Sequence, residues 1–318
     1  MMYMTEITLK AYAKINLSLT VTGKRSDGYH DIRSLMQGID LFDVIKITKC
    51  PQNGTKYNLP HCTIGGIVVY LCTDADTIPA DMSNLALKGI AAVLNGYDGQ
   101  APEELLVTID KRLPVAAGIA GGSGNGAACM LGMNALLGYP FSLRELMERG
   151  AKVGADVPFS MLMNARRNSE ELAALNGIDE ASAAAWIGGI GDVVDPVEPM
   201  LRYVILANPG IAVSTRAAYD GIDAIMAEPG YERMTEEYPL FVNDLEKYTL
   251  RDYPEAARLR KVMQHELRSD IVLMSGSGPT MVAYYEDQEK ASADFARMKD
   301  ITERESGWRT WLTVTGIR

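Results

Sequence analysis

Histidine and cysteine are both scarce, at three and four residues in 318. Cys50, Cys62, Cys72 and Cys129 form no Cys-x-x-Cys pair, and with so few histidines no zinc site is expected. The four read as reduced thiols of a cytoplasmic protein. Basic residues are in deficit, 31 Lys and Arg against 41 Asp and Glu, for a net charge of −10. That argues against nucleic acid or an anionic membrane as a partner. An anionic small molecule would then need a locally positive site. No apolar run approaches the roughly 20 residues that span a bilayer. The first residues lack a basic segment leading into an apolar one, so no signal peptide is expected. What remains is 47% hydrophobic and 23% charged, the composition of a soluble globular protein. The length suggests two domains.

Glycine is concentrated where it is most informative. Leu113 to Ala128 holds five glycines and almost no bulky side chains, and an apolar run follows to Leu137-Gly138. Glycine lets backbone N–H groups converge without Cβ obstruction. A helix starting near Ser123 adds its free N–H groups and the positive end of its dipole. Such a loop suits an anion, and a nucleotide phosphate above all. No Gly-Lys-Ser/Thr closes it, so it is not a Walker A loop. Gly122-x-Gly124-x-x-Ala127 fits a loose dinucleotide fingerprint, but Pro114 intervenes and the next element reads as helix, not strand. A glycine-rich turn that merely packs a helix tightly is the plain alternative.

Around it, the chain alternates patterns. Ile7, Leu9, Ala11, Ala13, Ile15, Leu17, Leu19 and Val21 are apolar at every second position. That predicts a half-buried strand, or two with a bend, whose pleat points Lys14 and Asn16 away from the core. Strands are expected at Asp43–Thr48, Glu104–Ile109, Tyr203–Ala207, Ile271–Ser275, Thr280–Tyr285 and Thr310–Thr315. Ser83 or Asn84 can cap a helix that stops at Asn95-Gly96. Ser142-Leu-Arg-Glu145 is a capping box for a helix reaching Ala151. Met161 to about Trp186 reads as helical with a break at Asn176-Gly177. Helices are also expected around Tyr219 and from Lys290 to about Glu305. Mixed strands and helices without strict alternation indicate an α+β class.

Three motifs in order then resemble the GHMP small-molecule kinases. Pro114-Val-Ala-Ala-Gly118-Ile-Ala-Gly121 and the small residues after it are similar to the family's second motif. Ala13-Lys-Ile-Asn-Leu17 with Gly23 to His30 resembles the N-terminal motif, and Met274-Ser-Gly-Ser-Gly-Pro-Thr280 the C-terminal glycine-rich one. The resemblance runs from about Ala11 to about Tyr285, with one gap. It implies a ribosomal protein S5 domain 2-like N-terminal domain, residues 1–165, and a ferredoxin-like C-terminal domain, residues 166–318. It also implies ATP and magnesium as the nucleotide and its cation. Asp27-Gly-Tyr-His30 and Gly154-Ala-Asp-Val-Pro158 narrow it to members acting on a cytidine-diphosphate-linked methylerythritol, in the non-mevalonate route to isoprenoids.

Phosphoryl transfer is mostly positioning and charge neutralisation. The resemblance assigns the phosphate cradle to Pro114, Val115, Ala116, Ala117, Gly118, Ile119, Ala120, Gly121, Gly122, Ser123 and Gly124. Ser123 can bond a phosphate or a magnesium-bound water, or serve as a plain N-cap. Asp156 is the implied base; a turn or N-cap aspartate is the plain reading of that residue. Lys14 is implied to approach the reacting hydroxyl and the aspartate, against a solvated lysine on an amphipathic strand. Asn16 is implied to contact substrate. Tyr29 and His30 are implied to read the cytosine by stacking and hydrogen bonding, with Tyr219 a further candidate for the same pocket. Thr215, Asn243 and Asp244 match family positions without an assigned role, and Ser275–Thr280 is expected to support the phosphate loop.

Two departures stand out. Gly124-Asn-Gly126 replaces hydroxyl or small residues of the family and weakens the helix start by roughly 1 kcal/mol per glycine. Met163-Asn-Ala-Arg-Arg-Asn-Ser and the alanine-rich stretch after it replace a family strand, and family-like sequence resumes near Gly188-Gly-Ile-Gly-Asp192. Two alternatives follow: a family kinase for another alcohol, such as homoserine or mevalonate, and a degenerate nucleotide-binding member without activity.

Overall fold

The alternating N-terminal segment forms one long strand, β1 (Glu6–Lys24), which turns through Arg25–Tyr29 into an equally long β2 (His30–Lys49). The structure is a computed structural model, and it describes residues 4–50, 57–75, 78–231 and 236–316. The chain divides into two compact units. The first holds the residues up to Ala13, Leu41–Val115 and Ala120–Ala183; the second holds Lys14–Asp40, Ala116–Ile119 and Ala184 onward. β1 and β2 each contribute residues to both.

In the first unit, β2 pairs antiparallel with β5 (Glu104–Asp110), Val44 opposite Asp110. β5 runs parallel to β4 (Ile67–Thr73), which pairs antiparallel with β3 (His61–Ile64). Four helices complete the unit: α1 (Leu85–Leu94), α2 (Gly121–Leu136), α3 (Leu143–Gly150) and α4 (Val157–Arg167). Their ends follow local chemistry. Asn84 caps α1, its side chain accepting from Ala86 N–H, and Ser142 with Glu145 closes a full capping box on α3. The glycines that depart from the family have a packing reason. A Cβ on Gly124 would lie 2.8 Å from the Tyr12 carbonyl oxygen, and one on Gly126 3.0 Å from that of Leu85. α2 therefore lies against β1 and α1 closer than any side chain allows, which offsets the helix propensity given up.

The expected helix from Met161 to Trp186 is not what forms. α4 begins at Val157 and ends at Arg167; turns follow, then a short 3-10 helix (Ile178–Glu180) and a strand, β6 (Ala184–Gly188). Alanine is the best helix former, but propensity amounts to under about 1 kcal/mol per residue and pairing on a sheet overrides it: β6 lies antiparallel on β2, Ser34 opposite Ile187. Asn164 on α4 and Asn168 at its C-cap, four residues apart, both reach β1. Asn164 Oδ1 accepts from Tyr12 N–H (3.0 Å), and Asn168 exchanges two bonds with the Lys10 backbone (2.9 and 3.0 Å). The divergent segment thus grips β1.

The second unit holds the other halves of β1 and β2, then β6 and β7 (Val193–Pro196). It also holds a four-stranded antiparallel sheet in the order β11-β8-β10-β9. These are β8 (Tyr203–Asn208), β9 (Ile271–Met274), β10 (Met281–Tyr285) and β11 (Arg309–Val314). α5 (Thr215–Met226), α6 (Leu245–Asp252) and α7 (Pro254–Glu266) join the first two strands, and α8 (Gln288–Arg304) the last two. That order and connection pattern is the ferredoxin-like one. Its core includes Ile205, Met274, Met281, Met263 and Met298.

Cys129 lies on α2, fully buried, and burial pushes its thiol up to about 12. At neutral pH it is the unreactive thiol form. A maleimide should leave Cys129 unmodified in the native protein and label it in denaturant, as read by mass spectrometry of its peptide. Equal labelling in both would mean that α2 is not packed as described.

Candidate active site

β1 does not face water with its polar side. Lys14 is 2% exposed and Asn16 fully buried, as are Ser18 and, nearly, Thr20. The expectation that Lys14 and Asn16 point away from the core is therefore corrected. Buried polar groups are tolerated where they are bonded, and these form a chain within the second unit. Lys14 Nζ donates to Asn16 Oδ1 at 2.8 Å, Asn16 Nδ2 to Ser34 Oγ at 2.8 Å, and Ser34 Oγ to the Ser18 carbonyl at 2.5 Å.

The glycine-rich loop passes from the first unit into the second at Ala116–Ile119 and back. Its start is anchored in the first unit by Asp43, which is fully buried. Asp43 Oδ1 accepts from Arg112 and Leu113 N–H (2.7 and 2.8 Å), and Oδ2 from Lys111 Nζ at 2.5 Å. No motif in the sequence points to Asp43, because its partners lie about 70 residues away. Pro114 and Val115 follow, Val115 half exposed, and Ala117 and Ile119 bury their side chains. Ala116, Gly118 and Ala120 have φ of 53°, 76° and 57°. Two alanines in the left-handed region cost of order 1–2 kcal/mol each, and such strain gathers where backbone groups are held for a ligand.

The middle of the loop is held within the second unit. Ser275 Oγ donates to the Gly118 carbonyl at 3.0 Å, Lys14 Nζ reaches the same oxygen at 3.5 Å, and Lys14 N–H donates to Ile119 O. Asn243 Nδ2 bonds the Met274 and Gly276 carbonyls, both at 2.8 Å, and so braces the turn that carries Ser275. Thr215 Oγ1 pairs with Ser277 Oγ at 3.1 Å, while Asp244 accepts from Val21 N–H.

In the first unit, α2 begins at Gly121, two residues before the expected start at Ser123. Gly121 is buried, Gly122 exposed, Ser123 half-buried and Gly124 buried. Gly122 lies inside the helix and is not among the positive-φ residues; a Cβ there meets only Leu85 Cδ1 at 3.5 Å. Gly122 thus needs no left-handed backbone, and Gly118 is the cradle glycine that does. Asp156 is half-buried at the N-cap of α4 and its carboxylate makes no capping bond to the helix. Asn164, two turns on, donates to the Gly124 carbonyl at 3.1 Å and ties α4 to the first turn of α2.

A third cluster belongs to the second unit. His30 is buried, its ring stacked on Tyr219 with centroids 5.0 Å apart at 23°. His30 Nε2 faces Asp223 Oδ1 at 2.7 Å, and Lys24 Nζ donates to Asp223 Oδ2 at 2.6 Å. Burial works against ionisation of Asp223, but the hydrogen bonds of Lys24 and His30, with the charge of Lys24, outweigh it and hold the carboxyl below the usual carboxylate range. Tyr29 is 60% exposed on the hairpin turn. The structure thus joins His30 and Tyr219, while Tyr29 stands out on the turn before His30.

Residues 84–164 match the family model described as the GHMP kinases N terminal domain. A curated 4-diphosphocytidyl-2-C-methyl-D-erythritol kinase of Lachnoclostridium phytofermentans is 34% identical over 306 residues, 92% of each chain. Another of Alkaliphilus oremlandii is 33% identical, covering 93% of each. A crystal structure of 4-(cytidine 5'-diphospho)-2C-methyl-D-erythritol kinase superposes with a TM-score of 0.69 at 24% identity, covering 98% of this chain and all of that one. With strained loop, buried lysine and ferredoxin-like sheet already in place, the chain belongs to the GHMP kinases, in the group of 4-diphosphocytidyl-2-C-methyl-D-erythritol kinases.

Proposed function

We propose that this protein transfers the γ-phosphoryl group of ATP to a hydroxyl of 4-diphosphocytidyl-2-C-methyl-D-erythritol, a step of the non-mevalonate route to isoprenoid precursors. The observation that carries the reading is Lys14: a buried ammonium held on the Gly118 carbonyl of the glycine-rich loop and on Asn16. A cation fixed beside such a loop offsets charge on oxygens in transfer without reorganising during the reaction. Residues 114–124 would cradle the phosphates, with the free N–H groups of α2 turned to them. Asp156 would take the hydroxyl proton. Asn16 would orient the alcohol, and Tyr29, His30 and Tyr219 would hold the cytosine. The division into an N-terminal part, 1–165, that carries loop and base, and a C-terminal part, 166–318, belongs to the same reading.

Magnesium travels with nucleotide phosphates, keeps several waters, and takes only one or two protein oxygens. It does not need a cage of protein ligands, and no group of three His, Cys, Asp or Glu forms one among the described residues. Ser123, half-buried in the first turn of α2, is an oxygen donor that would fit this role. The ion supplies charge neutralisation of the phosphates.

An ATP-consumption assay against a panel of alcohols tests the reading. Turnover is expected with the cytidyl substrate and not with homoserine or mevalonate. Turnover with one of the latter alone would move the protein to another substrate, and ATP binding without any turnover would make it a nucleotide-binding relative.

A further inference from the structure

Asp223 lies outside every motif of the sequence, yet the His30 cluster is assembled on it. It sits on α5 one turn after Tyr219, so both side chains leave the same face of the helix. Its two oxygens are divided: Oδ1 to His30 Nε2 at 2.7 Å, Oδ2 to Lys24 Nζ at 2.6 Å. Both partners come from the β1–β2 hairpin, one from each strand. Tyr219 covers a face of the imidazole, so the ring is fixed in plane as well as in direction.

We propose that Asp223 is a positioning residue that fixes His30 as the Nε2–H tautomer and makes its Nδ1 an acceptor selecting cytosine over uracil. This rests on the reading of His30 as a base contact. A carboxylate has no proton to give, so the ring nitrogen that faces it must be the donor. In the neutral imidazole the lone pair is then on Nδ1, which has no hydrogen-bond partner among the described residues. Lys24 keeps the carboxylate charged and aimed, in line with the direction of its acidity above. Cytosine carries an amino donor at C4 where uracil carries a carbonyl acceptor. An Nδ1 acceptor meets the first with a hydrogen bond and the second with two opposed lone pairs. Sites built on such a pair reject the mismatched partner strongly, because a buried polar group is left unpaired.

A purely structural Asp223, which ties the hairpin to α5 and nothing more, would leave the tautomer and the base preference alone. The test uses full-length protein with 15N-labelled histidine. Long-range 15N spectra of the free wild type should show His30 as the Nε2–H tautomer; an Nδ1–H tautomer there overturns the proposal without any variant. In Asp223→Asn the amide can face the ring with either end, so the tautomer preference should be lost. KM for 4-diphosphocytidyl-2-C-methyl-D-erythritol should rise roughly tenfold or more. The preference over the uridine counterpart should shrink by a similar factor, with KM for ATP unchanged. A folded Asp223→Asn with unchanged KM and unchanged base preference removes the role of Asp223. His30→Ala separates the two levels. If it raises the cytidyl KM while Asp223→Asn does not, the base contact stands and the positioning falls. If His30→Ala leaves that KM unchanged, the base contact itself falls, and this proposal with it.

Discussion

Asp156→Asn should abolish turnover while ATP still binds. The plain reading of this residue, a helix-capping aspartate, predicts a different result. Loss of a capping side chain costs about 1 kcal/mol of stability and leaves chemistry intact. The carboxylate makes no capping bond, however, although Asp156 occupies the N-cap of α4 and Pro158 stands just inside the helix. α4 is fixed instead along its length, by Asn164 to Tyr12 and Gly124 and by Asn168 to Lys10. Removing the charge should therefore take no capping bond away from α4. A positioned base typically contributes on the order of 10²–10⁴-fold in rate, and kcat should fall by that range. Asn is nearly the same size and keeps one oxygen, so nucleotide binding, which the carboxylate does not serve, should persist in calorimetry. Near-normal kcat with a lowered melting temperature would return Asp156 to the role of a cap.

Some of this site could be read from the sequence because its causes are local. The Ser142–Glu145 capping box needs only four residues, and the alternation of β1 needs only its own side chains. The ferredoxin-like strands could be read near their observed bounds for the same reason. What the alternation could not tell is what covers the second face. Lys14 bonds Asn16, Asn16 bonds Ser34 on the next strand, and Ser18 accepts from Ser34 Oγ and Leu35 N–H there, which lets all three be buried; a period of two fixes sides, not solvent. The alanine-rich stretch failed differently, since helix propensity, small per residue, lost to pairing on β2. Asp43 and Asp223 were out of reach altogether. One closes on Arg112 and Leu113 and the other on His30, 193 residues away, and an aspartate with distant partners has no local signature.

Gly118→Val should yield a protein that binds ATP weakly and turns over little. Gly118 has φ of 76°, a region in which a β-branched residue is strongly disfavoured. A Cβ at this position would sit 2.3 Å from the Ser275 carbonyl oxygen and 3.0 Å from that of Gly278. Both are backbone atoms of a turn braced by Asn243, so they cannot swing aside as a side chain would. The loop must yield, and with it the Gly118 carbonyl on which Ser275 and Lys14 converge. Phosphate contacts and the lysine would be displaced together, so ATP affinity and kcat should fall by at least tenfold each, the scale on which a misplaced group of about 1 Å acts. The change also strains the fold, so a melting curve accompanies calorimetry with ATP and magnesium. Gly122→Ala gives the contrast in stability. It lies in the first turn of α2 with room for a Cβ, and alanine for glycine in a helix is favourable by up to about 1 kcal/mol, so it should melt no lower than the wild type. A folded Gly118→Val with wild-type ATP affinity would mean that the strained loop is a packing turn, and that the phosphates are held elsewhere.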